Sequence, residues 1–262
     1  MAKKLTRKEL EELYRRYNKR ELVHPDPLEF LYHYDYCDDR EIVALIAASL
    51  AYGRVAQILA SVKKVLKELG PRPAQFLEKT SAAQLRKLFK TFKHRFTTGE
   101  EMSSFLINIK KAQKKHVSLE ACFKKYVNEQ DETFMPALSR FVRELRGKRE
   151  KNSLLPAPEK GSACKRLNLF LRWMVRQDDV DPGCWQTLDP AKLVIPLDTH
   201  MHQISLALCL TKRKGGDLRT AIEITKAFGK FCPEDPVRYD FALTRMGIRD
   251  ELDVKKWLHS RV

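Results

Sequence analysis

An all-α fold is predicted by three observations. Apolar residues recur at helical spacing along most of the 262-residue chain. The breaks between those stretches carry helix caps and stops, and alternating strand-like runs are scarce. Thr6 and Glu9 form a capping box for a first helix that reaches about residue 18. The run Val-His-Pro-Asp-Pro at 23–27 breaks it. Residues 42–51 are apolar on almost every face, which predicts a buried helix ended by Gly53. Residues 55–69 are amphipathic and stop at Gly70-Pro71. Basic helices follow over 81–89 and 102–114, and another helix over 119–127. Leu138, Phe141, Val142 and Leu145 then form a stripe beside Arg140, Arg143 and Arg146. The strongest break is 147–163. Ser162 is expected to cap a helix over 163–176 whose middle is dense in large apolar groups. After a loop over 177–195, Asp198 caps the next helix, and residues 218–231 give another. The last has Asp235 as cap, Pro236 in its first turn and Gly247 just past its end.

Composition narrows the partners. The formal net charge is +16, and residues 86–151 hold 17 Lys and Arg against 8 Asp and Glu, which is +9 of that excess. Such an imbalance is tolerated against self-repulsion most readily beside a polyanion, so nucleic acid is the expected partner. No apolar run approaches the roughly 20 residues of a membrane span, and Met-Ala-Lys-Lys-Leu-Thr is not followed by an apolar signal core. A cytoplasmic location and no membrane partner are expected. The six cysteines lie far apart without a Cys-x-x-Cys pair, so free thiols are expected rather than a zinc ribbon or iron–sulfur cluster. No cofactor is expected.

Two residues stand out chemically. Asp198, in Pro-Leu-Asp-Thr-His, sits where an extended approach meets a helix start, and the dipole there favours its ionised form. It reads either as a plain cap or as a carboxylate aimed outward for chemistry. Lys165 opens the preceding helix. It meets the positive helix end and the like charge of Arg166, a setting that favours the uncharged amine of a Schiff-base nucleophile. The alternative is a solvated surface lysine. Asp198, His200 and His202 spell a metal-like D-x-H-x-H, but residues two apart on a helix point about 200° apart, so no metal site is expected. Cys164 is a thiolate candidate with no evident base.

Pro-Leu-Asp-Thr-His resembles the Val-Asp-Thr-His stretch of the helix-hairpin-helix DNA glycosylases, such as endonuclease III. Residues 39–55 look like that superfamily's first buried helix and its DNA-contacting turn, residues 69–77 its next junction, and residues 235–248 the helix closing its second lobe. Lys165 and Asp198 lie 33 residues apart, closer to the spacing of the archaeal oxoguanine-specific branch. Cys-Lys-Arg-Leu-Asn-Leu-Phe-Leu-Arg-Trp-Met-Val-Arg at 164–176, taken with Pro-Leu-Asp-Thr-His, resembles an uncharacterised bacterial family neighbouring these glycosylases. The hairpin departs from the superfamily pattern: Leu155-Pro-Ala-Pro-Glu-Lys-Gly has one glycine instead of two, and Pro158 removes an N–H donor.

The resemblance implies a bilobal all-α helix-hairpin-helix glycosylase-like fold with the cleft between two helical lobes. One lobe is a helical barrel over 38–182, and the other joins 1–37 to 183–262. It implies base excision on double-stranded DNA with an extruded base, with or without lysine lyase activity, by a monomer. Lys165 and Asp198 would be catalytic, with Lys160 as rival nucleophile. Tyr52 and Arg54 at the first turn, Gly161, Ser162 and Arg166 at the hairpin, and Thr199 and His200 beside the aspartate would contact DNA. Trp185, in the polar loop before the aspartate, and Phe170 would wall the base pocket, and the alternative for Phe170 and Trp173, on apolar helix positions, is plain core. The alternative function is a non-catalytic DNA- or RNA-binding protein with the same architecture.

Overall fold

The computed structural model describes residues 5–147 and 152–248. These form a mostly helical chain: α1 (Arg7–Tyr17), α2 (Cys37–Leu50), α3 (Val55–Leu69), α4 (Pro73–Lys79), α5 (Ala82–Leu88), α6 (Gly99–His116), α7 (Leu119–Lys124), α8 (Met135–Arg146), α9 (Lys165–Val175), α10 (Thr199–Ala207), α11 (Leu218–Gly229) and α12 (Asp240–Ile248). No helix is long and apolar enough to cross a membrane. Residues 249–262, the tail of the expected second lobe, and Lys148, Arg149 and Lys151 of the basic segment lie outside the described residues.

α2 is the central element. Its apolar residues face neighbours on every side, which is why it shows no amphipathic stripe: α9, α3, α4, α7 and a 3-10 segment over Pro27–His33 all pack on it. Its two buried carboxylates start other helices. Asp39 accepts the Ala74 N–H at 2.8 Å in the first turn of α4, and Glu41 accepts the Leu119 N–H at 2.6 Å and the Glu120 N–H at 3.1 Å at the start of α7. α1 packs on α12, and α12 on α10. The segments assigned to the two lobes contribute to one buried apolar cluster, from Leu5 to Leu243.

A buried ionic network ties α9 to both ends of the chain. The Arg172 guanidinium pairs with Asp181 at 3.1 Å and with Asp240. Arg176 pairs with Asp178 at 2.7 Å, with Asp235 at 2.9 Å and with Asp181. The Tyr14 hydroxyl of α1 donates to Asp178 at 2.8 Å. Burial, opposed by Arg172 and reinforced by the charges of Asp198 and Asp181, pushes the Asp240 carboxyl up to about 6.

Four expectations are corrected. Cys37 and Cys184 form a disulfide rather than free thiols, joining the start of α2 to the loop after α9; Cys122, Cys164, Cys209 and Cys232 are free. Asp235 caps no helix: its carboxylate is drawn to Arg176, α12 starts at Asp240, and Gly247 lies inside it. Ser162 is not the cap of α9. That position is Cys164, in the left-handed region at φ 47°, while the Ser162 hydroxyl accepts the Cys164 N–H at 3.3 Å. A short antiparallel hairpin pairs β1 (Lys93–His94) with β2 (Thr97–Thr98) inside a stretch expected to be helical or loop.

Candidate active site

Two helix N-termini meet at the site. The buried extended run 193–197 leads into α10, and its path is fixed by the Ile195 N–H donating to the Thr225 hydroxyl at 3.0 Å. Asp198 follows as N-cap, its Oδ1 accepting the Met201 N–H at 2.9 Å. That leaves Oδ2 free to face α9. Lys165, the first residue of α9, places its Nζ 3.0 Å from that oxygen. Both side chains are half-buried. One carboxylate therefore serves as cap through one oxygen and as amine partner through the other, so the two readings of Asp198 do not compete.

The electrostatics follow from this arrangement. Burial pushes the Asp198 carboxyl up, but the Lys165 charge, the Met201 N–H and His200 outweigh it and hold it below its ordinary value. Asp198 is thus ionised at neutral pH. The His200 Nδ1 stands 3.9 Å from Oδ2 and its ring is exposed. The His202 ring turns away, with Nε2 2.8 Å from the Arg213 carbonyl. The three do not converge on one ion, for the helical reason anticipated. The Cys164 thiol is buried, and burial pushes it up to about 11, so it is no thiolate.

The hairpin is tied down by its backbone. Gly161, at φ 78°, ends a 3-10 turn over Pro158–Lys160. Its carbonyl accepts the Leu218 N–H at 3.0 Å, and Ser162 bridges to Asp217. Gly161 and Ser162 stay exposed beside Lys165, as do Thr199 and His200 beside Asp198 and Arg54 at the start of α3. Lys160 is exposed on the 3-10 turn, one turn before α9.

Four positions are corrected. The Arg166 guanidinium points inward, donating to the Ser49 carbonyl at 2.5 Å and the Ser153 carbonyl at 2.8 Å, and lies 4.8 Å over the Tyr52 ring. It supports the turn from inside instead of presenting charge to a ligand. Tyr52 is likewise engaged: its hydroxyl donates to the His94 carbonyl at 3.0 Å and lies 2.5 Å from the Thr97 hydroxyl. Trp185 and Phe170 are fully buried and pack edge-on against each other at 5.1 Å, so neither walls a base pocket. The Trp185 Nε1 donates to Glu41 at 3.1 Å, which satisfies an otherwise costly buried carboxyl.

The residue missed is Phe96. It sits at the tip of the β1–β2 hairpin, 62% exposed, and stacks on Tyr52 with centroids 4.8 Å apart. Arg95, at φ 52°, occupies the same tip. A layered stack, Phe96 on Tyr52 on Arg166, thereby runs from solvent to the residue next to Lys165. A large exposed aromatic on a two-residue turn between strands of two residues each leaves too short a pattern to detect by periodicity.

Glu41 has a measurable consequence. Burial pushes its carboxyl up to about 7 against three N–H donors that hold it down. A folded-state value raised above the unfolded 4.5 gives stability that is full below about pH 4.5 and is lost as pH rises through about 7. The loss is about 3 kcal/mol. Urea unfolding at pH 5 and pH 8 should show that decline, and Glu41→Gln should flatten it whatever its effect at one pH. An unchanged slope in the variant would assign the dependence elsewhere.

The chain belongs to the family described as Protein of unknown function (DUF2400), whose family model matches residues 26–249. No curated protein and no solved structure matches it.

Proposed function

We propose that the protein is a DNA base-excision glycosylase of the helix-hairpin-helix type, with its bilobal architecture and a cleft that holds one extruded nucleotide. The observation that carries this reading is the 3.0 Å contact between the Lys165 amine and the Asp198 carboxylate, two residues 33 apart in the chain, each at a helix start. The family's description names no activity and leaves that reading open.

The chemistry assigns each group a task. Asp198 takes a proton from Lys165, which leaves the amine lone pair free, and passes that proton to the departing base. The lone pair attacks C1′ as the glycosidic bond breaks, and the base leaves with the bonding electrons and the proton. The carboxylate, ionised again, stands against the positive charge at C1′. The nitrogen then gives up a proton and the ring oxygen gains one as the C1′–O4′ bond opens, which leaves a Schiff base. Exposed Gly161, Ser162, Thr199 and His200 flank the pair, and with exposed Arg54 at the start of α3 they suit phosphate contacts. The charge excess of 86–151 adds sequence-independent attraction. Phe96 replaces Tyr52 as the side chain that enters the base stack, because it is the exposed member of the aromatic pair. Unstacking a base costs a few kcal/mol, which such an insertion offsets in part.

Borohydride trapping on a panel of lesion-bearing duplexes tests the reading. Reduction of the Schiff base should leave a stable covalent protein–DNA adduct on at least one duplex. Phe96→Ala should bind undamaged duplex nearly as well as the native protein but yield far less adduct. Duplex affinity that barely responds to salt would remove the nucleic-acid reading altogether. Salt-sensitive duplex binding with neither adduct nor base release would favour the non-catalytic binder, in which Lys165 and Asp198 form only an ion pair.

A further inference from the structure

Away from Lys165, three helices bring together a thiol, an imidazole and a carboxylate. His116 is the last residue of α6, Cys122 lies in α7, and Glu144 lies in the last turn of α8. One ring nitrogen of the His, the Cys Sγ and a Glu carboxylate oxygen all lie within 4.8 Å of one another. Among the described residues this is the sole such grouping of three His, Cys, Asp or Glu side chains. Nothing in the proposed base-excision chemistry uses it.

We propose that His116, Cys122 and Glu144 form a zinc site, with solvent supplying the fourth ligand. The donor set is the argument for the ion. One imidazole, one thiolate and one carboxylate match the borderline character of Zn²⁺, whereas Mg²⁺ or Ca²⁺ would call for oxygen ligands throughout. The geometry needs little adjustment. Ligands at about 2.0–2.3 Å from a tetrahedral ion lie about 3.3–3.8 Å apart. The His116 Nε2 and the Glu144 Oε1 now stand 2.8 Å apart, so the ion inserts by parting them slightly.

The surroundings leave room for binding. Cys122 is a fully buried free thiol and His116 and Glu144 are mostly buried, so the ion would be held within the packed junction of α6, α7 and α8. Glu144 also borders a cleft of about 370 Å³ lined by Arg86, Asn108, Lys111 and Arg146, which gives solvent a route to the fourth position. The Lys115 amine, 2.7 Å from the same Glu144 oxygen, has an exposed side chain and moves into solvent at little cost. Tyr126 donates to the other carboxylate oxygen and orients it, as outer partners of metal ligands do. Binding replaces the thiol proton, which is released to solvent, so affinity rises with pH.

Co²⁺ titration of the chelator-treated protein tests this. One equivalent should give a near-ultraviolet thiolate-to-cobalt band with the visible bands of a four-coordinate site, and Zn²⁺ should displace it. Cys122→Ser should lose the near-ultraviolet band, and Cys209→Ser, which removes the exposed thiol, should keep it. Because a buried serine risks misfolding, two further variants carry the test. Glu144→Gln should weaken binding by at least about tenfold, and Lys115→Ala should tighten it by freeing the carboxylate. A folded native protein without the band, a band surviving in Cys122→Ser, or unchanged affinity in Glu144→Gln would each overturn the site. The result is independent of the base-excision reading, since no DNA is present.

Discussion

Asp198→Asn should slow base release from a processed lesion by about two to three orders of magnitude, the size of effect seen when one preorganised electrostatic group is removed from a transition state. The substitution is nearly isosteric. The amide oxygen of the new side chain still accepts the Met201 N–H, so the start of α10 should persist. What disappears is the charge opposite C1′ and the acceptor for the Lys165 proton. Weakening the cap should lower stability by about 1 kcal/mol, and melting curves separate that loss from a catalytic one. Lys165→Gln is the companion. It should abolish borohydride-trapped adducts while leaving duplex affinity nearly intact, because it removes one positive charge from a protein with a net +16. Single-turnover base release and adduct formation are the measurements. If both folded variants keep native rates, the pair is only structural and Lys160 becomes the candidate nucleophile.

The second large effect is on stability. Arg176→Leu should destabilise the protein by about 3–5 kcal/mol at neutral pH, because it strips the cation from a buried network and leaves its partners uncompensated. Arg176 contacts Asp178, Asp181 and Asp235; without it Arg172 still pairs with Asp181 and Asp240, but Asp178 and Asp235 lose the cation they pair with. The pH dependence gives the mechanism away. Deprived of Arg176, these carboxyls are buried with surplus negative charge, which raises their folded-state values above the unfolded ones. Their contribution is then retained in acid and lost as pH rises. The deficit of Arg176→Leu relative to the native protein should therefore be larger at pH 8 than at pH 5. Denaturant midpoints at the two pH values decide it; a deficit that is constant with pH would mean lost packing of the arginine stem rather than lost charge.

What the residues disclose in sequence depends on the range of the interactions that fix them. α3 is legible to its ends, because an amphipathic stripe and a terminal glycine are local signals. The Asp198 cap and the position of Lys165 in the first turn of α9 are legible for the same reason. Asp235 shows how such a signal misleads. Its Asp-Pro pattern satisfies every local rule for a helix start, yet Arg176, 59 positions away, takes its carboxylate. Trp185 misleads in the other direction. Its loop is polar in sequence, but the indole covers Glu41, and an acid that opens the apolar run of α2 gives no sign of which donor will reach it. The Cys37–Cys184 bridge spans 147 positions without a spacing motif to suggest it. The approach of Lys165 to Asp198 is of the same kind: sequence places each at a helix start, and packing alone brings the helices together.

The N-terminal part of α2 bears on how this chain can change length. Asp39 and Glu41 lie two positions apart and start two different helices, α4 and α7, from different sides. A residue inserted or deleted between them would rotate one carboxylate by about 100° relative to the other. At least one of the two helix starts would then lose its acceptor within the core. Insertions and deletions are therefore expected to be excluded from α2. They should collect in segments that set no other element's direction, such as the exposed turn at 128–133 between α7 and α8.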